Sequence, residues 1–260
     1  MAGAAFFDLD KTLIEGSSAF HFARASYRAG LLSRRQLGSD AWANLRFRLR
    51  GSSDEQNAAV RDRVQEAIAG VRVVDLQRLG PEVLAGILPR VYPDVLAEAY
   101  GHQDAGRRAY IVTAASQEVA ELMAHVFVFD GGVGTRSEIS DGVYTGRLAG
   151  PFTYGEGKAE AIRQMASEHG LELAESYAYS DSQSDLPMLR AVGHPVAVNP
   201  DAGLERVARA EGWRVMRFEK LGRRLRLAAA VGGLAAVAGA SGYVAGELRP
   251  RLARRGRRLF

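Results

Sequence analysis

Four polar clusters, most of them placed where a short apolar run stops, constrain this chain more than any other feature. Residues 4–8 (AAFFD) run into Asp10-Lys11-Thr12, and residues 109–113 (AYIVT) run into Ala114-Ala115-Ser116. A third run, at 176–180, ends in Ser180-Asp181-Ser182-Gln183-Ser184-Asp185, and Lys158 stands near the start of a helical pattern over 156–169. Apolar runs of this length, bounded by turn residues, read as buried strands. A further short strand is expected at 195–198, ending at Asn199-Pro200. Strands that alternate with helices imply an α/β fold with a doubly wound, mostly parallel sheet. In such sheets the carboxyl ends of the strands form the ligand crevice, so the clusters are expected to converge there.

Between the first two strands, from about 17 to 105, the pattern is helical and too long for one crossover. It reads as an inserted helical cap, with Ser52 or Ser53 and Gly70 as the limits of its third helix. Trp42 and Phe47 are expected to pack inside it. The boundaries follow: a discontinuous core at 1–16 and 80–218, a cap at 17–79, and a tail at 219–260. Residues 138–148 (EISDGVYTGRL) alternate around Asp141-Gly142, a strong hairpin signal. With 260 residues, such an arrangement can bury a full core. There is no cysteine, which excludes disulfides and thiolate-held zinc. The N-terminus has no basic n-region and no cleavable apolar stretch, so the catalytic chemistry is expected to face the cytoplasm.

Net charge is +4, but residues 220–260 hold ten Lys or Arg and one acid, a net of +9. Residues 1–219 therefore carry 24 bases and 29 acids, a net of −5, which argues against a nucleic-acid partner for the body.

The convergent cluster carries four or five carboxylates, one lysine and two hydroxyl-rich turns. Acids at this density repel one another unless a cation neutralises them, and an all-oxygen ligand set suits Mg²⁺. The candidate metal residues are Asp8, Asp10, Asp181 and Asp185. The last two lie one turn apart and face the same ion if a helix starts near 182. Asp8, at the strand end, can attack phosphorus as a covalent nucleophile. Asp10 can protonate the leaving oxygen and then activate water, provided the chain turns sharply after the strand. Thr113, Ala114 and the amides opening the next helix can hold phosphate oxygens, and Lys158 can neutralise charge as it develops. Each segment also has a purely structural explanation: an Asx turn at Asp8 and Asp10, a solvated Lys158, a capped helix start after Ser180. Those explanations must hold independently at all four segments. The five histidines (21, 102, 125, 169, 194) show no metal-ligand spacing and read as surface or packing residues.

The order FFDLDKTL, YIVTAAS, GEGK and YAYSDSQSDLPML resembles the four motifs of the haloacid dehalogenase-like (HAD) superfamily, in its phosphoserine-phosphatase-like branch (subfamily IB). The segment GVGTRSEISDGVYTGRL is similar to the strand pair that this branch carries before its lysine. The resemblance spans about residues 4–200. It implies a Rossmann-like core and an aspartyl-phosphate phosphatase in which Asp8 is the nucleophile and Asp10 the general acid/base. It further implies Mg²⁺ held by Asp8, the Asp10 main-chain carbonyl and Asp181, with Asp185 a supporting acid and Thr113 and Lys158 on the phosphate. Two departures bear on the substrate. The glutamate that holds the substrate amine in phosphoserine phosphatases stands about nine positions past the nucleophile, where this chain has Ser17. Their Gly-Asp-Gly-x-Asn-Asp is here Ser180 to Asp185, without the asparagine. Phosphoserine is therefore not expected as the main substrate. Arg46, Arg48 and Arg50 are read either as contacts to an anionic group or as an exposed basic helix face.

Residues 227–246 carry no charge for twenty positions and are flanked by arginines. That length can span a bilayer, but Ala and Gly dominate, and moving six arginines across would defy the positive-inside tendency. A segment lying on anionic lipid and a buried or oligomerising helix are the alternatives. The expectation is a phosphatase attached to the inner face of the cell membrane, acting on a small or lipid-linked phosphate monoester. The alternatives are a soluble small-metabolite phosphatase and a non-catalytic membrane adaptor on the same fold.

Overall fold

Strand β1 (Ala4–Phe7) is apolar and fully buried, as a central strand covered on both faces must be. In the computed structural model of the protein, which describes residues 2–31, 61–62, 64–66 and 68–218, β1 pairs in parallel with two strands. One is β2 (Arg108–Ser116), with Phe7 opposite Ile111; the other is β6 (Tyr177–Ser180), with Phe7 opposite Tyr179. With β3 (Gly131–Thr135), β7 (His194–Val198) and β8 (Arg214–Met216), they form a six-stranded sheet in the order β3-β2-β1-β6-β7-β8, parallel at every pairing. The chain winds outward from β1 in both directions, which puts the topological switch point at the C-terminal end of β1.

Successive β1 residues serve opposite faces. Phe6 joins Tyr110, Val112, Ala178 and Ala197 beneath α6 (Glu156–His169), α7 (Leu186–Arg190) and α8 (Ala202–Ala210), which contribute Ile162, Met188, Leu189 and Leu204. Each large apolar side chain buried in this way contributes about 1.5–3 kcal/mol. Phe7, on the other face, stacks on Tyr179 with ring centroids 4.4 Å apart. That face also carries α4 (Pro93–Asp104), whose buried His102 accepts from Arg107 Nε at 2.9 Å and meets the Tyr179 hydroxyl at 2.8 Å. Burial and the Arg107 charge push the His102 imidazole down to about 4, so it is a neutral packing group. Helix α5 (Gln117–Val126) lies against β2 and β3.

Between β1 and α4 the described elements are helical: α1 (Ser18–Arg28), α2 (Val73–Gln77) and α3 (Gly80–Ile87). The expected hairpin is present as β4 (Ser137–Ser140) and β5 (Val143–Leu148), paired antiparallel. Asp141 and Gly142 form its turn with φ of 50° and 76°, as a two-residue primed turn requires. The expectations for Trp42, Phe47, Arg46, Arg48, Arg50, Ser52, Ser53 and residues 219–260 fall outside the described residues. Among the described residues no helix is long and apolar enough to cross a membrane.

Strand β3 falls on GGVGT, most of which lies in the segment similar to the family's strand pair, but its own pattern gives no strand signal. Its glycines are packing features. A Cβ on Gly132 would lie 2.4 Å from the Ala120 carbonyl oxygen, and one on Gly134 2.7 Å from that of Ser116. At Gly132 the strand lies too close to α5, and at Gly134 too close to the end of β2, for any side chain to fit.

Candidate active site

Asp8 leaves the end of β1 with its amide donating to the Tyr179 carbonyl at 2.9 Å, so the carboxylate is held by the sheet itself. Lys158, in the first turn of α6, donates to Asp8 Oδ1 at 2.7 Å and to Asp185 Oδ2 at 2.6 Å. All three side chains are under a tenth exposed. Asp185 Oδ2 also accepts from Ser180 Oγ at 2.6 Å, and Asp8 Oδ2 from Thr12 Oγ1 at 3.3 Å. Lys158 thus stands 150 positions along the chain from Asp8 and 27 from Asp185.

Asp10 stands just before a sharp turn. Lys11 occupies the left-handed region, φ 61°, and the chain doubles back. The Asp10 carboxylate accepts from the Ser18 amide at 2.8 Å and from Ser17 Oγ at 3.1 Å, which ties it to the N-terminus of α1. Asp181 follows β6 directly and is buried, with Lys11 Nζ 3.6 Å from its Oδ2. Its carbonyl accepts from the Asp201 amide at 2.8 Å. Thr113 is buried two residues beyond Ile111, the registered partner of Phe7, and its Oγ1 accepts from the Ala115 amide at 3.2 Å. The next helix, α5, opens at Gln117 with Ser116 as its cap. The Ala114 carbonyl is taken up by Thr135 Oγ1 at 3.0 Å.

The structure therefore joins Asp8, Lys158 and Asp185 by direct contact, and places Thr113 on β2 and Asp181 just past the end of β6, the strands flanking β1. Asp185 does not sit beside Asp181 on one helix face. Ser182 is extended and its hydroxyl caps Ser184, so a 3₁₀ turn at Gln183–Asp185 comes first and α7 begins only at Leu186. Asp185 is consequently turned onto Lys158. Ser18 and Ser180 hold the acids in place without having been singled out in the sequence, and Ser17, noted there only as the replacement for a substrate-binding glutamate, binds Asp10. Ser180, directly before Asp181, was quoted there without a role, and serine is too common to carry a signal alone.

The acids outnumber their cations. Burial pushes the Asp8 carboxyl up to about 7 against the pull of Lys158, and the Asp185 and Asp181 charges add to the rise. Burial likewise lifts Asp181 to about 6, opposed by Lys11 and reinforced by Asp185. Lys158 is pulled down by burial, but the charges of Asp185 and Asp8 outweigh it and keep the amine protonated. A carboxyl raised on folding contributes stability below its unfolded value and loses it as pH rises through the folded one. In chelator, the melting temperature of the wild-type protein should thus fall relative to Asp181→Asn between the unfolded 3.8 and about 6. A difference that stays constant across that window would refute the burial argument.

Among the described residues no three His, Cys, Asp or Glu side chains are grouped as a metal cage. A cation here would take two carboxylates, Asp8 and Asp181, leaving its other positions to main chain, water and substrate. That is the sparse oxygen set Mg²⁺ uses.

Comparison with known proteins shows what the chain is similar to. The family model described as haloacid dehalogenase-like hydrolase matches residues 5–190. The phosphoserine phosphatase SerB1 of Mycobacterium tuberculosis is 38% identical, over 92% of this chain and 80% of that protein. The histidinol-phosphatase of Neisseria meningitidis is 32% identical, over 84% of this chain and 100% of that protein. A crystal structure of a Bordetella pertussis protein of unknown function superposes with a TM-score of 0.72 at 31% identity, covering 83% of this chain and 98% of that one.

Proposed function

The chain belongs to the haloacid dehalogenase-like hydrolase family and is a phosphatase, and from that premise we propose an Mg²⁺-dependent phosphomonoesterase working through a phosphorylated Asp8. The observation that carries this reading is the single Lys158 ammonium shared by Asp8 and Asp185 at the switch point of the sheet.

Asp8, fixed by β1, attacks phosphorus with Oδ2, the oxygen that Lys158 does not hold; the leaving alkoxide takes a proton from Asp10. Asp10 then removes a proton from water, which attacks the aspartyl-phosphate and regenerates Asp8. Ser17 and the Ser18 amide keep the Asp10 carboxylate in one orientation through both steps. Lys158 balances charge on the transferring phosphoryl group and, oriented by Asp185, stays protonated throughout. Thr113 and the first amides of α5 bind the remaining phosphate oxygens. Asp8, Asp181 and the Asp10 carbonyl would hold Mg²⁺, with Asp185 supporting the site through Lys158. When bound, the ion would supply neutralisation of charge on the phosphate dianion.

Two relatives of similar identity carry names for different substrates, so similarity alone does not transfer a substrate to this chain. Ser17 stands where an amine-binding glutamate would and is spent on Asp10. We therefore favour a small or lipid-linked phosphate monoester over phosphoserine. The uncharged stretch 227–246 with its flanking arginines supports attachment to an anionic membrane surface.

The test is phosphate release from phosphoserine, histidinol phosphate, glycerol phosphates and lysophosphatidic acid, each with Mg²⁺ and with chelator. Turnover that needs Mg²⁺ and favours a substrate other than phosphoserine is expected. Activity indifferent to chelator would reject the metal, and preference for phosphoserine would reject the substrate assignment. For the tail, deleting residues 220–260 should move the protein out of the membrane fraction, and a carbonate wash of the full chain separates insertion from peripheral attachment.

A further inference from the structure

Lys11 takes no part in the chemistry above, yet its placement is specific. It holds a left-handed backbone, which costs a residue with a side chain roughly 1–2 kcal/mol, in the turn between Asp10 and Thr12. From there its side chain, 56% exposed, runs to Asp181. Each of the two carboxylates assigned to the metal thus has its own lysine. Asp8 has Lys158, which is 4% exposed and pinned from behind by Asp185. Asp181 has Lys11, which makes no second ion pair among the described residues and has open solvent to swing into. Three buried acids, Asp8, Asp181 and Asp185, face these two lysines. Replacing Lys11 by a divalent ion brings the count to neutrality, whereas keeping both crowds two cations onto one carboxylate.

We propose that Lys11 is a tethered counter-cation that competes with the divalent metal for Asp181, neutralising it in the metal-free enzyme and withdrawing when the ion binds. Lys11 therefore sets metal affinity and keeps the empty acid cluster from repelling itself apart. The proposal rests on the reading of Asp8 and Asp181 as metal ligands.

The experiment is calorimetric titration of MgCl₂ into the chelator-treated full chain at low ionic strength, with melting temperatures taken with and without Mg²⁺. Lys11→Asn removes the charge and keeps a residue that tolerates the left-handed region; Lys11→Gly does so with no backbone penalty, should the first variant fold poorly. Both should bind Mg²⁺ about three- to tenfold more tightly than wild type, the scale expected for loss of one partly exposed charge. Both should melt lower in chelator and gain more from Mg²⁺, while Lys11→Arg should behave as wild type. Unchanged or weaker Mg²⁺ binding in the neutral variants overturns the proposal. Asp181→Asn separates the two levels. If it binds Mg²⁺ like wild type, the ligand assignment itself is wrong and the role of Lys11 falls with it.

Discussion

Asp8→Asn should abolish phosphate release, by about 10⁴-fold or more, while the protein folds and melts normally. The loss is large because an amide cannot form the acyl-phosphate, and no neighbouring group can take its place: Asp10 is tied to α1 and Asp185 to Lys158. The fold survives because asparagine is isosteric: its amide oxygen can still accept from Lys158, and its NH₂ can donate to the Thr12 hydroxyl that donates to Asp8 in the wild type. Without metal the variant should be at least as stable as wild type, since it deletes one charge from an overcrowded cluster. Steady-state kinetics beside a thermal melt provide the check. A variant that keeps its activity would end the covalent mechanism; one that loses activity only by unfolding would leave the charge analysis in error.

Lys158→Met should act on stability as well as rate. Methionine fills the space, but Asp8 and Asp185, both buried, lose the ammonium they share. Breaking a buried ion pair from one side costs about 3–5 kcal/mol, because the remaining charges are left uncompensated. For a protein of this size that corresponds to a fall of about 10 °C in melting temperature. Turnover should fall by about 10²–10³-fold, as on removal of one charge-stabilising donor. A double variant that adds Asp185→Asn should be less destabilised than the sum of the two single changes, since one orphaned acid is gone. Strict additivity would mean that Lys158 and Asp185 do not act as a unit.

The acids at the strand ends, the hairpin at Asp141-Gly142, and the helix over 156–169 were legible because each is written in local chemistry: apolar runs stopped by carboxylates, a turn dipeptide, and a 3.6-residue period. What escaped was set by packing at a distance. Strand β3 carries glycine where α5 and the end of β2 press against it, and β8, only three residues long, is too short to show a period. The direction of Asp185 depended on whether a helix began at 182 or 186. The Ser182 cap decided that, and nothing in the spacing of the two acids could. Lys11 and Ser17 were visible as residues, but the acid each would meet becomes known only once the turn after β1 is built.

The bridge from Asp8 to Lys158 spans more than half of the chain, and Asp185 lies further on still. During synthesis the N-terminal strand emerges first and waits for its partners until β6 and the turn after it have left the ribosome. Closing so long a loop carries an entropic penalty that only cooperative docking of α6 and β6 repays, a recipe for slow assembly. A chain cut anywhere before residue 185 would keep the reactive aspartate and lack the ammonium, the acid that steadies it, or both. Truncated products should therefore be inert toward the cell's phosphate esters, and competence should arrive all at once with β6 and the turn that follows it.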